Sequence, residues 1–228
     1  MTSLVSLSVA DSASTWARLG FVVDADASVT IGGVRFRFQG SDEDMPESGK
    51  GLTGWTLYDP CDSLPIDIDG IPTSKVARRD RPAAQVHPNG VTGIDHFVLR
   101  THNLERTIRV FEELGMACRR RRDAGSNGSS ITQQAFFWLG SPNDPDDRVV
   151  LEVVGQSVVD RALKDKPSTF FGIALVCEDL DATADFFGDL VKPPIDAVQR
   201  GRRIMAISER GGSTVAIALM TPHVKQLI

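Results

Sequence analysis

Apolar and polar residues follow one another in an ordered series of short segments between residues 93 and 155. The run from Gly93 to Arg100 is apolar but alternating, which predicts a half-buried strand. Apolar residues then recur at helical spacing, with Asn103 before them as a candidate N-cap. Three more alternating runs predict strands at 116–122, 133–139 and 148–154. The series is therefore a βαβββ unit.

The same series returns in the last quarter of the chain, from residue 168 to residue 222. The two predicted helices match at four positions, where Leu104, Thr107, Phe111 and Leu114 align with Leu180, Thr183, Phe187 and Leu190. Identities at helical spacing indicate an internal repeat. Residues 1–59 show a shorter version of the unit, and the Pro- and Asp-rich residues 60–92 are predicted to be a linker. The fold class is α+β, built from repeated βαβββ units, with 93–222 forming one domain.

Charge and composition exclude several classes of partner. The formal net charge is -5, so the chain lacks the basic footprint of a nucleic-acid binder. No apolar run approaches the roughly 20 residues of a membrane helix, and the N-terminus has no basic signal-like region. Three cysteines without CxxC spacing favour reduced thiols. We therefore expect a cytoplasmic protein without nucleic-acid or membrane partners.

Two phrases carry a resemblance to a known superfamily. The opening strand Gly-Ile-Asp-His-Phe-Val-Leu at 93–99 and the closing strand Val-Leu-Glu-Val-Val at 150–154 resemble the vicinal oxygen chelate (VOC) superfamily. That group includes glyoxalase I, bleomycin-resistance proteins, extradiol dioxygenases and methylmalonyl-CoA epimerases. Phrases at 134–137, 196–199, 201–204 and 218–222 resemble its actinobacterial glyoxalase-like members. The resemblance implies that two units pair into an open curved barrel whose concave side holds a small molecule.

The resemblance also implies a metal-ligand pattern, with one ligand from the first strand and one from the fourth strand of each unit. The matching positions are His96 and Glu152 in the central unit, but Gly172 and Ala218 in the last unit. Imidazole and carboxylate suit a divalent metal such as Zn, Ni, Mn or Fe. Only half of the ligand set is therefore present.

The other histidines do not obviously complete this set. His102 lies six residues beyond His96, roughly 20 Å along an extended strand, and His223 lies roughly 16 Å beyond Ala218. Only His87, in the predicted linker, has a position that the sequence leaves free. His96 is thus either a metal ligand or a hydrogen-bonded histidine at a pocket wall.

Glu152 stands among valines in the middle of a predicted strand, where an isolated carboxylate is costly. It is either hydrogen-bonded to His96 or Arg100, or a general base with a raised pKa.

Alternation along the strands predicts a cavity with two different walls. His96, Arg100 and Glu152 face one way, whereas the matching wall of the last unit is small and apolar. Trp138 and Arg203 are placed at the pocket edge, and Arg202 is interpreted as a surface cation. The predicted ligand-binding residues are His96, Arg100, Trp138, Glu152, Gly172, Ala174, Arg203 and Ala218.

Three functions remain open. The first is metal-independent binding of an apolar, anionic small molecule. The second is a lyase or isomerase, and less readily a dioxygenase, with a divalent metal on His96 and Glu152. The third is a structural role in which the unit at residues 4–59 serves assembly. Three units leave one without a partner in the chain, and an unpaired sheet edge invites pairing, so a homodimer is predicted.

Overall fold

The computed structural model describes residues 2–41, 50–79, 81–127, 130–141, 143–144, 147–157 and 159–223. This part of the chain is α+β, as predicted. Its strands are β1 (Ser3–Val9), β2 (Ser28–Ile31), β3 (Val34–Phe38), β4 (Leu52–Tyr58), β5 (Asp67–Ile68), β6 (Ile71–Val76), β7 (Val91–Arg100), β8 (Cys118–Asn127), β9 (Ser130–Leu139), β10 (Val149–Gln156), β11 (Thr169–Cys177), β12 (Ile195–Asp196), β13 (Arg203–Ala206) and β14 (Ala216–Met220). Its α-helices are α1 (Ala13–Arg18), α2 (Leu104–Glu113) and α3 (Leu180–Phe187), with short 3-10 helices at Gly188–Leu190 and Glu209–Gly211.

The chain divides into two compact units, each assembled from three segments. Unit 1 contains Met1–Leu7, Thr53–Asp80 and His96–Phe171, and unit 2 contains Ser8–Leu52, Arg81–Asp95 and Gly172–Ile228. The predicted linker is not irregular throughout, because it contributes β5 and β6 to unit 1. β6 pairs in parallel with β4, and the Trp55 indole donates a 2.6 Å hydrogen bond to the Thr73 hydroxyl.

Unit 1 contains the predicted central repeat. Its strands pair in the order β7, β10, β9, β8, with β10 parallel to β7 and antiparallel to β9. Asn103 caps α2, as predicted, because its side chain accepts the backbone N–H of Arg106. Phe97, Leu99, Phe137 and Leu151 are fully buried at alternate strand positions. One face of this sheet is therefore the core face.

Unit 2 repeats the same arrangement. Its strands pair in the order β12, β13, β14, β11, and β14 is parallel to β11. Asp179 caps α3 by accepting backbone N–H groups from the first helical turn. Leu180, Thr183 and Phe187 are buried on α3, at the positions that Leu104, Thr107 and Phe111 bury on α2. The aligned helical positions thus do the same packing in both repeats, which confirms the repeated βαβββ architecture.

The N-terminal part of unit 2 packs around one indole. Trp16 contacts Phe21 and Phe36 at ring-centroid distances of 4.9 and 5.1 Å. Its Nε1–H donates a 2.9 Å hydrogen bond to the buried Asp11 carboxylate. None of the helices in the described ranges is long and apolar enough to cross a membrane.

Candidate functional site

The face of the unit 1 sheet opposite its apolar core carries most of the predicted polar residues. We call it the polar face, and it comprises His96, Val98 and Arg100 on β7, Val150, Glu152 and Val154 on β10, Gln134, Phe136 and Trp138 on β9, and Arg120 and Arg122 on β8. Strand register fixes this set, because Glu152 pairs with Phe136 and Val154 pairs with Gln134. Side chains of directly paired residues lie on the same side of a sheet.

A row of hydrogen bonds crosses the polar face through all four strands. Arg122 donates from Nε to the side-chain oxygen Oε1 of Gln134, and the side-chain Nε2 of Gln134 donates to Glu152 Oε1. The other carboxylate oxygen, Glu152 Oε2, lies 3.4 Å from His96 Nε2. The structure thus brings together His96 and Glu152, which the sequence placed on adjacent strands, and links them to two residues that were not predicted.

Glu152 is nearly enclosed. Its side chain is 9% exposed and that of His96 is 16% exposed. Withdrawing a carboxylate from water costs several kcal/mol unless hydrogen bonds or opposite charge compensate, to order of magnitude. The Gln134 amide and the His96 imidazole supply that compensation directly, and the Arg122 guanidinium supports it through Gln134.

Guanidinium groups stack on the aromatic residues of unit 1. Arg148 and Arg119 lie 4.3 and 4.9 Å from the Trp138 ring centroid, and Arg122 lies 5.4 Å from that of Phe136. Arg100 lies 4.3 Å from the centroid of Phe171, whose ring is half exposed. Such stacking orients a guanidinium group while leaving its N–H edge available to a carboxylate or phosphate. On the polar face, the Arg100 and Arg122 guanidinium groups are therefore held on aromatic rings, on the same face as the enclosed Glu152 carboxylate.

The predicted small residues lie in unit 2 in the expected register. Ala174 pairs with Ala218 across β11 and β14, and Gly172 pairs with Ala216. A Cβ atom on Gly172 would stand 2.4 Å from the Ala216 carbonyl oxygen, so close strand packing alone explains glycine there. Their role in ligand binding stays a prediction.

Arg203 is on the opposite face of the unit 2 sheet from Ala218. It shares alternation with the buried Met205, whereas Ala206 pairs with Ala218. The Arg203 guanidinium forms an exposed ion pair with Asp181 in the first turn of α3. Within unit 2 its side chain therefore points toward the helix and away from the small-residue wall.

The interpretation of Arg202 as a surface cation is wrong. Its side chain is 2% exposed and forms an ion pair with Asp95, which is 5% exposed. Arg202 also donates from Nε to the Thr221 carbonyl at 2.9 Å. The sequence did contain a signal: Asp95 lies in phase with Phe97 and therefore on the buried side of β7, where a carboxylate needs a cation.

No family model matches the sequence, and no curated protein matches it. Similar solved structures include methylmalonyl-CoA epimerase from Streptomyces coelicolor in complex with 2-nitronate-propionyl-CoA, at 20% identity and a TM-score of 0.44, covering 59% of this chain and 99% of that chain. Methylmalonyl-CoA epimerase from Mycobacterium tuberculosis is 19% identical, with a TM-score of 0.45 and coverage of 62% and 95%. A hypothetical protein from Bacillus halodurans is 12% identical, with a TM-score of 0.42 and coverage of 59% and 97%.

These epimerases belong to the VOC superfamily. At such identities and TM-scores the likeness carries no inference about reaction, substrate or metal.

The residues of the polar face do not fit a resident metal ion. His96 Nε2 and Glu152 Oε2 are its two candidate ligand atoms, and the other Glu152 oxygen already accepts from Gln134. Among the described residues no group of three or more His, Cys, Asp or Glu side chains stands close enough to hold a metal. Two candidate ligands, one of which already accepts a hydrogen bond, are fewer than the three protein ligands of open catalytic centres.

The sequence left the position of His87 open, and the structure shows both ring nitrogens in contact with backbone groups of unit 2. Its Nδ1 accepts the Val22 N–H at 3.1 Å, and its Nε2 lies 3.0 Å from the Thr30 carbonyl oxygen. The ring is therefore a neutral imidazole that donates from Nε2. Burial lowers the pKa of His87 below its ordinary value. This histidine holds a loop and has no ring nitrogen left for a metal.

The three cysteines differ in exposure, and the buried Cys177 is a poor nucleophile. All three are free thiols, and Cys177 is buried. Burial raises the pKa of the Cys177 thiol to about 11, so its reactive thiolate is scarce at neutral pH.

Proposed function

We propose that the polar face of unit 1 binds a small molecule with an anionic group and an apolar or aromatic body, without a metal. Arg122 and Arg100 would supply the charged N–H donors, and Phe136 and Trp138 the apolar surface. A few convergent polar groups beside aromatic side chains are typical of small-molecule sites. His96 would add a further donor next to the enclosed carboxylate.

One observation carries this proposal: the chain contains the same βαβββ fold twice, and only the central repeat has a histidine and a carboxylate at the matching positions. Where the central repeat has His96 and Glu152, the last repeat has Gly172 and Ala218. The order of the four strands and the buried helix positions are the same in both repeats, so the architecture does not require a carboxylate and an imidazole there. A costly buried polar row that the fold does without is best explained by a ligand.

Isothermal titration with 1-naphthoate, a planar aromatic carboxylate, tests the proposal. We expect wild-type protein to bind it and Arg122→Met to weaken binding at least tenfold, on the order of one lost charge-assisted hydrogen bond. Arg109→Met is the matched control, since Arg109 is an exposed cation on α2 in the same unit. 1-Naphthylmethylammonium, with the opposite charge, should not bind.

Equal losses in Arg122→Met and Arg109→Met would show that the polar face is not the site. Failure of 1-naphthoate together with benzoate, phenylphosphate and indole-3-acetate would reject the anionic aromatic class.

A second candidate is metal-free acid–base catalysis, favoured by the 3.4 Å separation between His96 Nε2 and Glu152 Oε2. Glu152 would accept a proton from a carbon acid, and His96 would relay it, as lyase and isomerase chemistry requires. Incubation of a 2-phenylpropanoyl thioester in D2O should then exchange its α-proton, as followed by proton NMR. Glu152→Gln should abolish the exchange. If wild-type protein exchanges no faster than this variant, the catalytic candidate fails.

The homodimer stays a proposal that rests on the sequence argument of an unpartnered repeat. Multi-angle light scattering over a tenfold concentration range should give twice the monomer mass of 24.7 kDa. A monodisperse 24.7 kDa species would contradict it.

A further inference from the structure

Unit 2 contains a cavity that no residue of the polar face lines. Its volume is about 660 Å³, within the range of small-molecule pockets. It is lined by Asp189, Leu190, Val191, Lys192, Pro193, Ile195, Ile204, Met205, Ala206, Ile207, Ser208 and Arg210. We call it the edge cavity, because it lies beside β13 near the outer strand of this sheet.

A break in strand pairing accounts for the edge cavity. Val191 bridges Ile207, and pairing resumes where Ile195 meets Ile204. Three residues, Lys192-Pro193-Pro194, therefore oppose only two on the β13 side, as in a bulge. The two prolines have no N–H to donate to the neighbouring strand, so the chain leaves the sheet here and space opens beside it.

The lining is mostly aliphatic and is not sealed from water. Ile195 is 67% exposed, and Ala206 is also exposed. Single exposed aliphatic residues are common, but here they line one concave surface together with Val191, Ile204 and Ile207. Displacing water from such a surface by an apolar chain lowers the free energy of the system.

The charged residues of the lining leave one positive charge in excess. Arg210 and Asp189 form an ion pair at 3.1 Å, so these two charges offset each other. Lys192 has no carboxylate within ion-pair distance in the described part of unit 2. The lining thus combines an aliphatic wall with one uncompensated ammonium group.

We propose that the edge cavity binds an aliphatic monocarboxylate of medium chain length, with its hydrocarbon chain against Ile195, Ile204 and Ile207 and its carboxylate at Lys192. This site is separate from the polar face, so the inference does not depend on the proposed function. Ala206 is the residue over which the chain would pass, since it is small, exposed and between the aliphatic side chains.

A chain-length series measured by isothermal titration tests the proposal with hexanoate, octanoate and decanoate. Each buried methylene is worth about 0.8 kcal/mol at most, so affinity should rise up to about fourfold per added CH2. Decanol and decyltrimethylammonium carry the same chain without the negative charge and should bind at least tenfold more weakly. Affinity that does not depend on chain length, or equal binding of the cation, would overturn the proposal.

Two variants locate the binding. Ala206→Phe fills the cavity from an exposed position and should abolish decanoate binding, whereas Lys192→Glu should weaken it at least tenfold. Lys164→Glu is the matched control, because Lys164 is an exposed lysine outside the cavity. Decanoate binding that survives Ala206→Phe, or that falls equally in both charge reversals, would refute this location. Ala206→Phe should leave 1-naphthoate binding at the polar face unchanged, because Ala206 is not part of that face, and this separates the two tests.

Discussion

Substituting the two neighbouring arginines of unit 2, Arg202 and Arg203, should lower the free energy of unfolding by very different amounts. Arg202 is 2% exposed, holds Asp95 and donates to the Thr221 carbonyl, whereas Arg203 holds Asp181 at the surface with a side chain that is 38% exposed. Breaking a buried ion pair by removing one partner costs about 3–5 kcal/mol. Removing an exposed pair costs about 0–1 kcal/mol. Arg202→Met should therefore lower the free energy of unfolding by several kcal/mol more than Arg203→Met.

Urea titration followed by both tryptophan fluorescence and circular dichroism measures this difference. Coincident transitions and an unchanged m-value are needed for the comparison of midpoints. Asp95→Asn in the Arg202→Met background removes the buried carboxylate that lost its cation. We expect a coupling free energy of about 1 to 3 kcal/mol between the two substitutions. Losses below about 1 kcal/mol for Arg202→Met, or simple additivity with Asp95→Asn, would refute the buried-pair explanation.

Three further predictions concern other parts of the chain. Because folding lowers the pKa of His87, the contribution of this histidine to stability is complete above pH 6.5 and declines as the pH falls below 6.5. His87→Gln should flatten that decline. Plots of the free energy of unfolding against pH that run parallel for wild type and variant from pH 8 to 5 would contradict this. Elemental analysis after incubation with Zn, Ni, Mn or Fe should find far less than one equivalent of metal; a stoichiometric ion that both His96→Ala and Glu152→Ala abolish would disprove the misfit. Gly90→Ala should destabilise the protein more than Gly115→Ala. Both glycines have a left-handed backbone, in which an alanine costs about 1–2 kcal/mol, but only at Gly90 would the added Cβ stand 2.6 Å from a buried hydroxyl. Equal melting temperatures of the two variants would contradict this.

The central repeat could be predicted from the sequence because its local patterns of alternation and helical spacing agree with its fold. Alternation along Gly93–Arg100 and the helical spacing after Asn103 are properties of adjacent residues, and the fold preserves both. The contact between His96 and Glu152 followed from two strands that must be neighbours in such a unit. The predicted linker was harder, because Pro72 lies inside β6 and masks its alternation.

The unpredicted site residues depend on features that a single sequence does not display. A register shift between Cys118 and Arg120 decides which arginines of β8 share a face with Glu152, so Arg122 was not distinguishable from its neighbours. Arg202 precedes β13 and meets a partner 107 positions away. Its burial depends on tertiary packing, although the phase of Asp95 on β7 did indicate that a cation was needed.

The break at Lys192-Pro193-Pro194 also affects how copies of this protein can associate. An outer strand usually offers a ladder of N–H and C=O groups to another chain, but β12 is two residues long and follows two prolines. The outer strand of unit 1, β8, is long, but it carries four successive arginines that would repel the same strand of a second copy. The outer strands β8 and β12 are therefore protected against strand addition and the aggregation it causes. A dimer of this protein would have to form without pairing β8 or β12 to the same strand of a second copy.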